Sequence, residues 1–255
     1  MDVDGTVIDE LAADTVQSTA SIGKIFLLVE AAERIADGRL DPARMVRRDP
    51  RVAVGDSGLW QHLTQDELPL ADVCLLVGAV SDNWATNVLL DIVGLDAVQA
   101  RAAALGCTDS GLRDHVRMER TESDPPTLST GTARELAEVG RRIHLAAEGG
   151  QTAGVSPEAA RLTRDWLLAG VDLSMVAAPF RLDPLAHTED RVLLWSKTGT
   201  DLTIRADMGV TWGGGDAVAY AALATWEPDD DVEDEPFARM HALGSTLAAR
   251  MWWGA

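Results

Sequence analysis

Two lysines stand out in a chain that otherwise takes its positive charge from arginine. Of its 22 Lys and Arg residues, only Lys24 and Lys197 are lysine. A lysine can lose its proton near neutral pH when burial or a nearby cation opposes the charge; a guanidinium cannot. An amine is therefore kept where a proton has to move. Lys24 follows Ser21 by one helical turn, which puts both side chains on one face of a predicted helix N-terminus. The free N–H groups and the dipole at such an end favour negative charge developing on the serine oxygen. The chemistry offered is nucleophilic, a serine hydroxyl with a lysine amine as its general base.

Two further triplets have the same character. Ser81-Asp82-Asn83 opens an apolar helical stretch, and alone it reads as an N-cap, for which all three residue types are suited. Lys197-Thr198-Gly199 ends the apolar run VLLW, and alone it is a solvated strand end. Taken in order, Ser-x-x-Lys, Ser-Asp-Asn and Lys-Thr-Gly resemble the signature of the penicillin-recognising serine hydrolases, above all the class A β-lactamases and penicillin-binding proteins. The step of 60 residues from Ser21 to Ser81 is similar to the class A pattern.

The resemblance implies a role for each matching position. Ser21 would be the acylated nucleophile and Lys24 a participant in its deprotonation, with basicity reduced by the charge of Lys197. Ser81 would pass a proton to the leaving nitrogen. Asn83 would contact the substrate amide and hold Lys24. Lys197, Thr198 and Gly199 would form the strand end that binds the substrate carboxylate. The backbone N–H groups of Ser21 and Thr200 would form the oxyanion hole. Two residues are weaker candidates for substrate contact. Trp60 follows Asp-Ser-Gly-Leu in a loop expected to border the cleft, where it would either stack on substrate or simply pack. Arg205, on the strand pair after Lys-Thr-Gly, would help Lys197 hold a carboxylate.

The chain also departs from the class A pattern. That family carries an Arg-x-Glu, followed shortly by Asn, in the loop after Ser-Asp-Asn, and its glutamate activates the deacylating water. Here Arg113-Asp114-His115-Val116 stands about where that motif belongs, without the glutamate. Glu119 and Glu122 come later, lack the matching asparagine, and are expected to face water. His115 is a weak candidate for a substitute base, while His62, His144, His187 and His241 are expected to be structural or solvated. An acyl-enzyme should then form and hydrolyse slowly. The segment from Leu167 to Ser196 is longer than the class A pattern and is expected to reshape the rim of the site.

The elements that must position these residues follow from hydrophobic periodicity. Dense apolar spacing over 22–36 predicts a helix buried all round. Helical patterns return at about 68–79, 83–93, 96–105, 130–148 and 156–168, with a loop over 41–60 and a long ordered loop over 106–130. Three β-like runs, VLLWSKTGT, TIRADMGVTWGG and AVAYAALATW, predict an antiparallel meander. Residues 3–9 predict a short first strand. The acidic run DDDVEDEP predicts a solvated linker, and 237–253 a closing helix. The fold class expected is α+β, β-lactamase/transpeptidase-like: an antiparallel sheet flanked by helices, with an all-helical lobe. Residues 1–255 are expected to form one catalytic domain, an α/β lobe from about 1–20 and 191–255 and a helical lobe over about 21–190.

Composition excludes other classes. A net charge of −19 opposes nucleic-acid and anionic-lipid binding, which need clustered Lys and Arg. No window reaches 18 consecutive apolar residues, so no membrane span is predicted. Without a CxxC pair, and with its five histidines scattered, the chain predicts no metal site, and no cofactor is expected. Cys74 and Cys107 are expected to be free thiols. The acidic start shows no signal peptide, which as it stands points to the cytoplasm, although the start is open to truncation. A monomer acting on a small molecule is expected, either a β-lactam or an acylated peptide or ester. The alternatives are a D-Ala-D-Ala peptidase or esterase, and a non-catalytic penicillin-recognising sensor.

Overall fold

The computed structural model describes residues 1–186, 192–228 and 234–253. His187 and most of the acidic linker lie outside the described residues. In chain order the elements are β1 (Gln17–Ser18), α1 (Lys24–Ala36), β2 (Met45–Arg47), β3 (Glu67–Pro69), α2 (Leu70–Val80), α3 (Asn83–Val93), α4 (Leu95–Ala104), β4 (Gly111–Leu112), β5 (Ser129–Gly131), α5 (Ala133–Ala147), α6 (Pro157–Leu168), β6 (Val192–Asp201), β7 (Ile204–Gly213), β8 (Asp216–Thr225) and α7 (Asp234–Trp253). A 3-10 turn, Ala20–Gly23, leads directly into α1.

The helices start where the sequence supplies caps. Asp82 caps α3 by accepting from Ala85 N, Thr132 caps α5, and Ser156 caps α6 with Pro157 as its first residue. The predicted meander is present as an antiparallel sheet in the order β6-β7-β8. Its alternation divides the core between two faces. Trp195, Met208, Val210 and Ala219 join the larger cluster with α1 and the helices around it. Leu194, Val218 and Tyr220 join Met240, Leu247 and Met251 of α7 on the opposite face. Helix α1 runs through the larger cluster, with every residue from Lys24 to Ala32 buried. Cys74 and Cys107 are both buried free thiols.

The first strand is a correction. Residues 3–9 form no strand; pairing at the start is limited to one bridge, Asp2 with Val218, extended by hydrogen bonds between Met1 and Ala219. The chain turns back on itself instead. Thr6 N donates to Asp4 Oδ1, Asp2 N to the Thr6 carbonyl, and Gly5 takes φ 93° to close the turn. The long loop is ordered from its base. There β4 and β5 pair antiparallel, and Arg113 N donates to the Leu128 carbonyl at 2.8 Å. Asp234 and Glu235, expected at the end of the linker, form the first turn of α7, where acidic side chains suit the helix dipole.

Candidate active site

Ser21 sits inside the 3-10 turn that enters α1, at the end where backbone N–H groups lack partners within the helix. Ala20, just before it, is held at φ 46°, a strained conformation for a residue with a Cβ. Ser129 holds this turn in place: its hydroxyl donates to the Ala20 carbonyl at 2.6 Å and bonds the Thr19 hydroxyl at 2.7 Å. On the other side lies β6, which approaches closely because position 199 is glycine. A Cβ there would collide with the Thr19 carbonyl and lie 3.2 Å from the Ser21 nitrogen.

Ser81 ends α2 in the left-handed conformation, φ 54°, and Asp82 then caps α3. The same Asp82 carboxylate accepts from Leu59 N and Trp60 N, both at 2.7 Å, so it ties the 55–60 loop to the Ser81 turn. The N-cap reading of this triplet holds for Asp82 and leaves its two neighbours free to face inward. Lys24 Nζ donates to Asn83 Oδ1 and to the Ser81 carbonyl, each at 2.7 Å, and to Ser81 Oγ at 3.2 Å. Lys197 Nζ donates to the same Ser81 Oγ at 3.0 Å. Asn83 is oriented in turn, donating through Nδ2 to the Gly55 carbonyl at 3.0 Å.

Both lysines are buried, and burial sets their acidity. Desolvation pushes the Lys24 ammonium well below the ordinary lysine range, and the charge of Lys197 pushes it further. Lys197 is lowered to about 8, again chiefly by burial, with Asp172 and Asp207 acting in the opposite direction. Of the two, Lys24 is the one pushed further towards the amine.

These groups meet at a cleft of about 1130 Å³. Ser21, Ser81, Asn83, Lys197, Thr198 and Thr200 all line it, so the structure brings together residues drawn from three distant motifs. Lys24 lies behind the lining and reaches it through Ser81 and Asn83.

Two residues expected to contact substrate lie outside the described lining. Trp60 is fully buried in the larger core cluster, its indole donating to the Gln65 carbonyl, and it does not line the cleft. The Asp82 carboxylate holds its backbone inward. Arg205 is also absent from the described lining. It pairs with Thr200 on β7, and its guanidinium donates to the Asp201 and Ile204 carbonyls and lies over the rings of Trp226 and Phe237. It thereby fastens the strand hairpin to α7.

Sequence reasoning missed Asp56, Arg117, Arg120, Asp172 and Asp201, all of which line the cleft. No local motif marks them. Asp56 alone carries a structural sign, a strained φ of 69°. The loop after β4 is fastened by Asn87, which bonds both the N–H and the carbonyl of Val116. It is fastened also by Asp114, which pairs with Arg117 and Arg120. Glu119 and Glu122 are exposed and outside the described lining. His115 is bonded to Asp91 at 3.0 Å and is likewise outside it. His62 is exposed, and His144 is buried against Trp212. His241 bonds the Ser174 carbonyl.

The family model described as "Beta-lactamase enzyme family" matches residues 2–248. A curated relative, the beta-lactamase regulatory protein BlaB of Streptomyces cacaoi, is 25% identical over 276 aligned positions, covering 93% of this chain and 85% of the relative. Among solved structures, a beta-lactamase from Sphaerobacter thermophilus DSM 20745 superposes with TM-score 0.78 at 22% identity, over 94% of this chain and 84% of that one. A beta lactamase from Xanthomonas campestris pv. campestris str. ATCC 33913 gives TM-score 0.77 at 18% identity, over 100% and 90% of the two chains. These two likenesses establish the β-lactamase/transpeptidase-like fold.

Proposed function

The chain belongs to the beta-lactamase enzyme family, and we propose that it is a serine hydrolase that forms an acyl-enzyme on Ser21 with β-lactams or related amides and esters. The observation that carries the reading is the convergence of Lys24 and Lys197 on the Ser81 hydroxyl, inside the cleft that Ser21 lines. We propose that residues 1–255 act as one catalytic domain.

In this reading the Lys24 amine takes the proton of Ser21 as the Ser21 oxygen bonds to the substrate carbonyl carbon. Charge on the carbonyl oxygen is met by the backbone N–H groups of Ser21 and Thr200. The tetrahedral centre then collapses and the bond to the leaving nitrogen or oxygen breaks. That atom takes a proton from Ser81, which recovers one from Lys24, and Lys197 holds the Ser81 oxygen throughout. Asn83 receives the acyl amide while fixing Lys24. Water attack on the ester releases the acid and restores Ser21. With no glutamate in the described lining, this second step is the slow one.

A second reading, a penicillin-recognising sensor that stays acylated, is favoured by the relative whose name describes a regulatory protein. One pair of measurements separates the two: turnover of a chromogenic cephalosporin, and intact mass after penicillin exposure. Repeated turnover supports the hydrolase. A stable adduct on Ser21 without turnover of β-lactam, ester or peptide supports the sensor. An adduct that persists in Ser21→Ala removes both.

A further inference from the structure

The carboxylate-recognition end of the cleft holds an acid of its own. The segment that follows α6 threads between the two halves of the site. Val171 N donates to the Ala79 carbonyl at 3.0 Å, two residues before Ser81. A Cβ on Gly170 would lie 3.8 Å from the Ser196 carbonyl, next to Lys197. Farther on, Val176 N donates to Asp207 at 2.9 Å. Between these anchors stands Asp172, half-buried and lining the cleft. Its Oδ1 accepts from the Ser174 hydroxyl at 2.6 Å and from Ser174 N at 3.2 Å, so its direction is fixed.

The cations balance differently. Arg117 and Arg120 line the cleft from the long loop, where Asp114 pairs with both. Arg205 is directed to carbonyls and to the rings of Trp226 and Phe237. Lys197 is the cation on which Asp172 acts, and burial works against its charge. An anionic group entering beside Lys197 meets one ammonium and, close to it, the Asp172 carboxylate.

Building on the acyl-transfer reading above, we infer that Asp172 is a specificity-determining residue, and that the preferred substrate is an ester or amide with no carboxylate beside its scissile bond. A penicillin or cephalosporin, which presents a carboxylate there, acylates Ser21 slowly. A like charge in a partly buried site costs on the order of tenfold or more in binding.

The test uses a matched pair, the phenylacetylglycine esters of 3-hydroxybenzamide and of 3-hydroxybenzoate, which differ in the leaving-group charge. The wild-type protein should show kcat/KM at least tenfold higher for the benzamide ester. Added salt should raise kcat/KM for the benzoate ester alone. Asp172→Asn should reduce the ratio between the two esters by about tenfold, mainly through KM for the benzoate, and Asp172→Glu should restore it. Because the readout is a ratio, a general loss of folded protein cancels. Preference for the benzoate ester, or a ratio indifferent to Asp172→Asn, overturns the inference while leaving the acyl-transfer reading intact. If neither ester is turned over nor labels Ser21, that reading fails and takes the inference with it.

Discussion

Lys24 and Lys197 donate to one atom, the Ser81 hydroxyl oxygen, at 3.2 and 3.0 Å. Two ammonium groups this close would repel strongly in a buried site, so the structure is built for one of the two to be an amine. Burial and the neighbouring charge both act on Lys24, whereas Asp172 supports the charge of Lys197.

That asymmetry predicts unequal tolerance of arginine. Lys24→Arg should slow acylation nearly as much as Lys24→Ala, by the factor of about 10² to 10⁴ that a general base contributes. Lys197→Arg keeps the cation and should lose about one hydrogen bond, roughly tenfold. Stopped-flow acylation of the wild-type protein and the three variants with an activated ester measures both. Equal losses at the two positions would contradict the division of roles.

The same division fixes a pH profile. Lys24 must be an amine and is held below its ordinary range, so acylation should rise as pH increases through its titration. Lys197 must be an ammonium and titrates at about 8, so the rate should fall as pH climbs past that value. In Lys197→Arg the alkaline limb should disappear, since the guanidinium stays charged. A wild-type rate that keeps rising beyond pH 9 would exclude Lys197 as the charged partner.

Much of this was legible in the sequence because the three motifs are short and each fixes its own local geometry. Ser-x-x-Lys occupies one turn at a helix start, and Ser-Asp-Asn joins two helices through the Asp82 cap. What the three motifs do not fix depends on packing between distant elements. Trp60 was open to either cleft or core, and the choice was made by Asp82, 22 residues away. The direction of Arg205 follows from pairing with Thr200 and from the arrival of α7 over that face. Asp172 has no motif at all; only the docking of its segment against α2 and β6 brings it into the cleft.

Gly199 should tolerate no side chain. In Gly199→Ala the added methyl collides with the Thr19 carbonyl and crowds the Ser21 nitrogen, so β6 must move away from the nucleophile turn. A shift of about 1 Å in such a site costs on the order of 10²-fold in rate. The melting temperature should fall as well, because the strained turn at Ala20 loses a support. Acylation rates and thermal unfolding of the purified variant report the two effects separately. An unchanged acylation rate would show that β6 does not set the geometry at Ser21.

Asp207 should couple stability to pH. It is buried behind the site, bonded by Val176 N and Tyr220 OH, and burial raises its carboxyl from 3.8 to about 8. The folded protein therefore holds a proton that the unfolded chain releases above its ordinary pKa, and this contribution to stability declines as pH rises from about 4 to about 8. Asp207→Asn abolishes the titration while leaving an acceptor for Val176 N. Its melting temperature relative to wild type should increase between pH 5 and pH 8, by about 2–4 °C for each kcal/mol in a domain of this size. A constant difference across that range would show that Asp207 is ionised in the folded state.

If Ser21 is acylated as proposed, the loop after β4 should decide how the acyl-enzyme ends. In the proposed mechanism acylation uses Ser21, Lys24, Ser81 and two backbone N–H groups, whereas deacylation also needs a base to activate water. Glu119 and Glu122 are exposed, and the carboxylate held inside the loop, Asp114, is paired with Arg117 and Arg120. Burial pushes the Asp114 carboxyl up, but the hydrogen bonds from those guanidiniums and from the His115 N–H together outweigh it and hold the group below the usual carboxylate range, which makes it a poor proton acceptor. A missing general base costs a factor of about 10² to 10⁴. Mixing with an activated ester that carries no carboxylate should therefore release one equivalent of the leaving alcohol in a burst, followed by a slow steady state. Glu119→Gln and Glu122→Gln should leave that slow phase within about twofold, since neither side chain faces the cleft. If either variant arrests turnover and accumulates the adduct by intact mass, that glutamate swings into the cleft to activate water, and the protein turns over as a working β-lactamase.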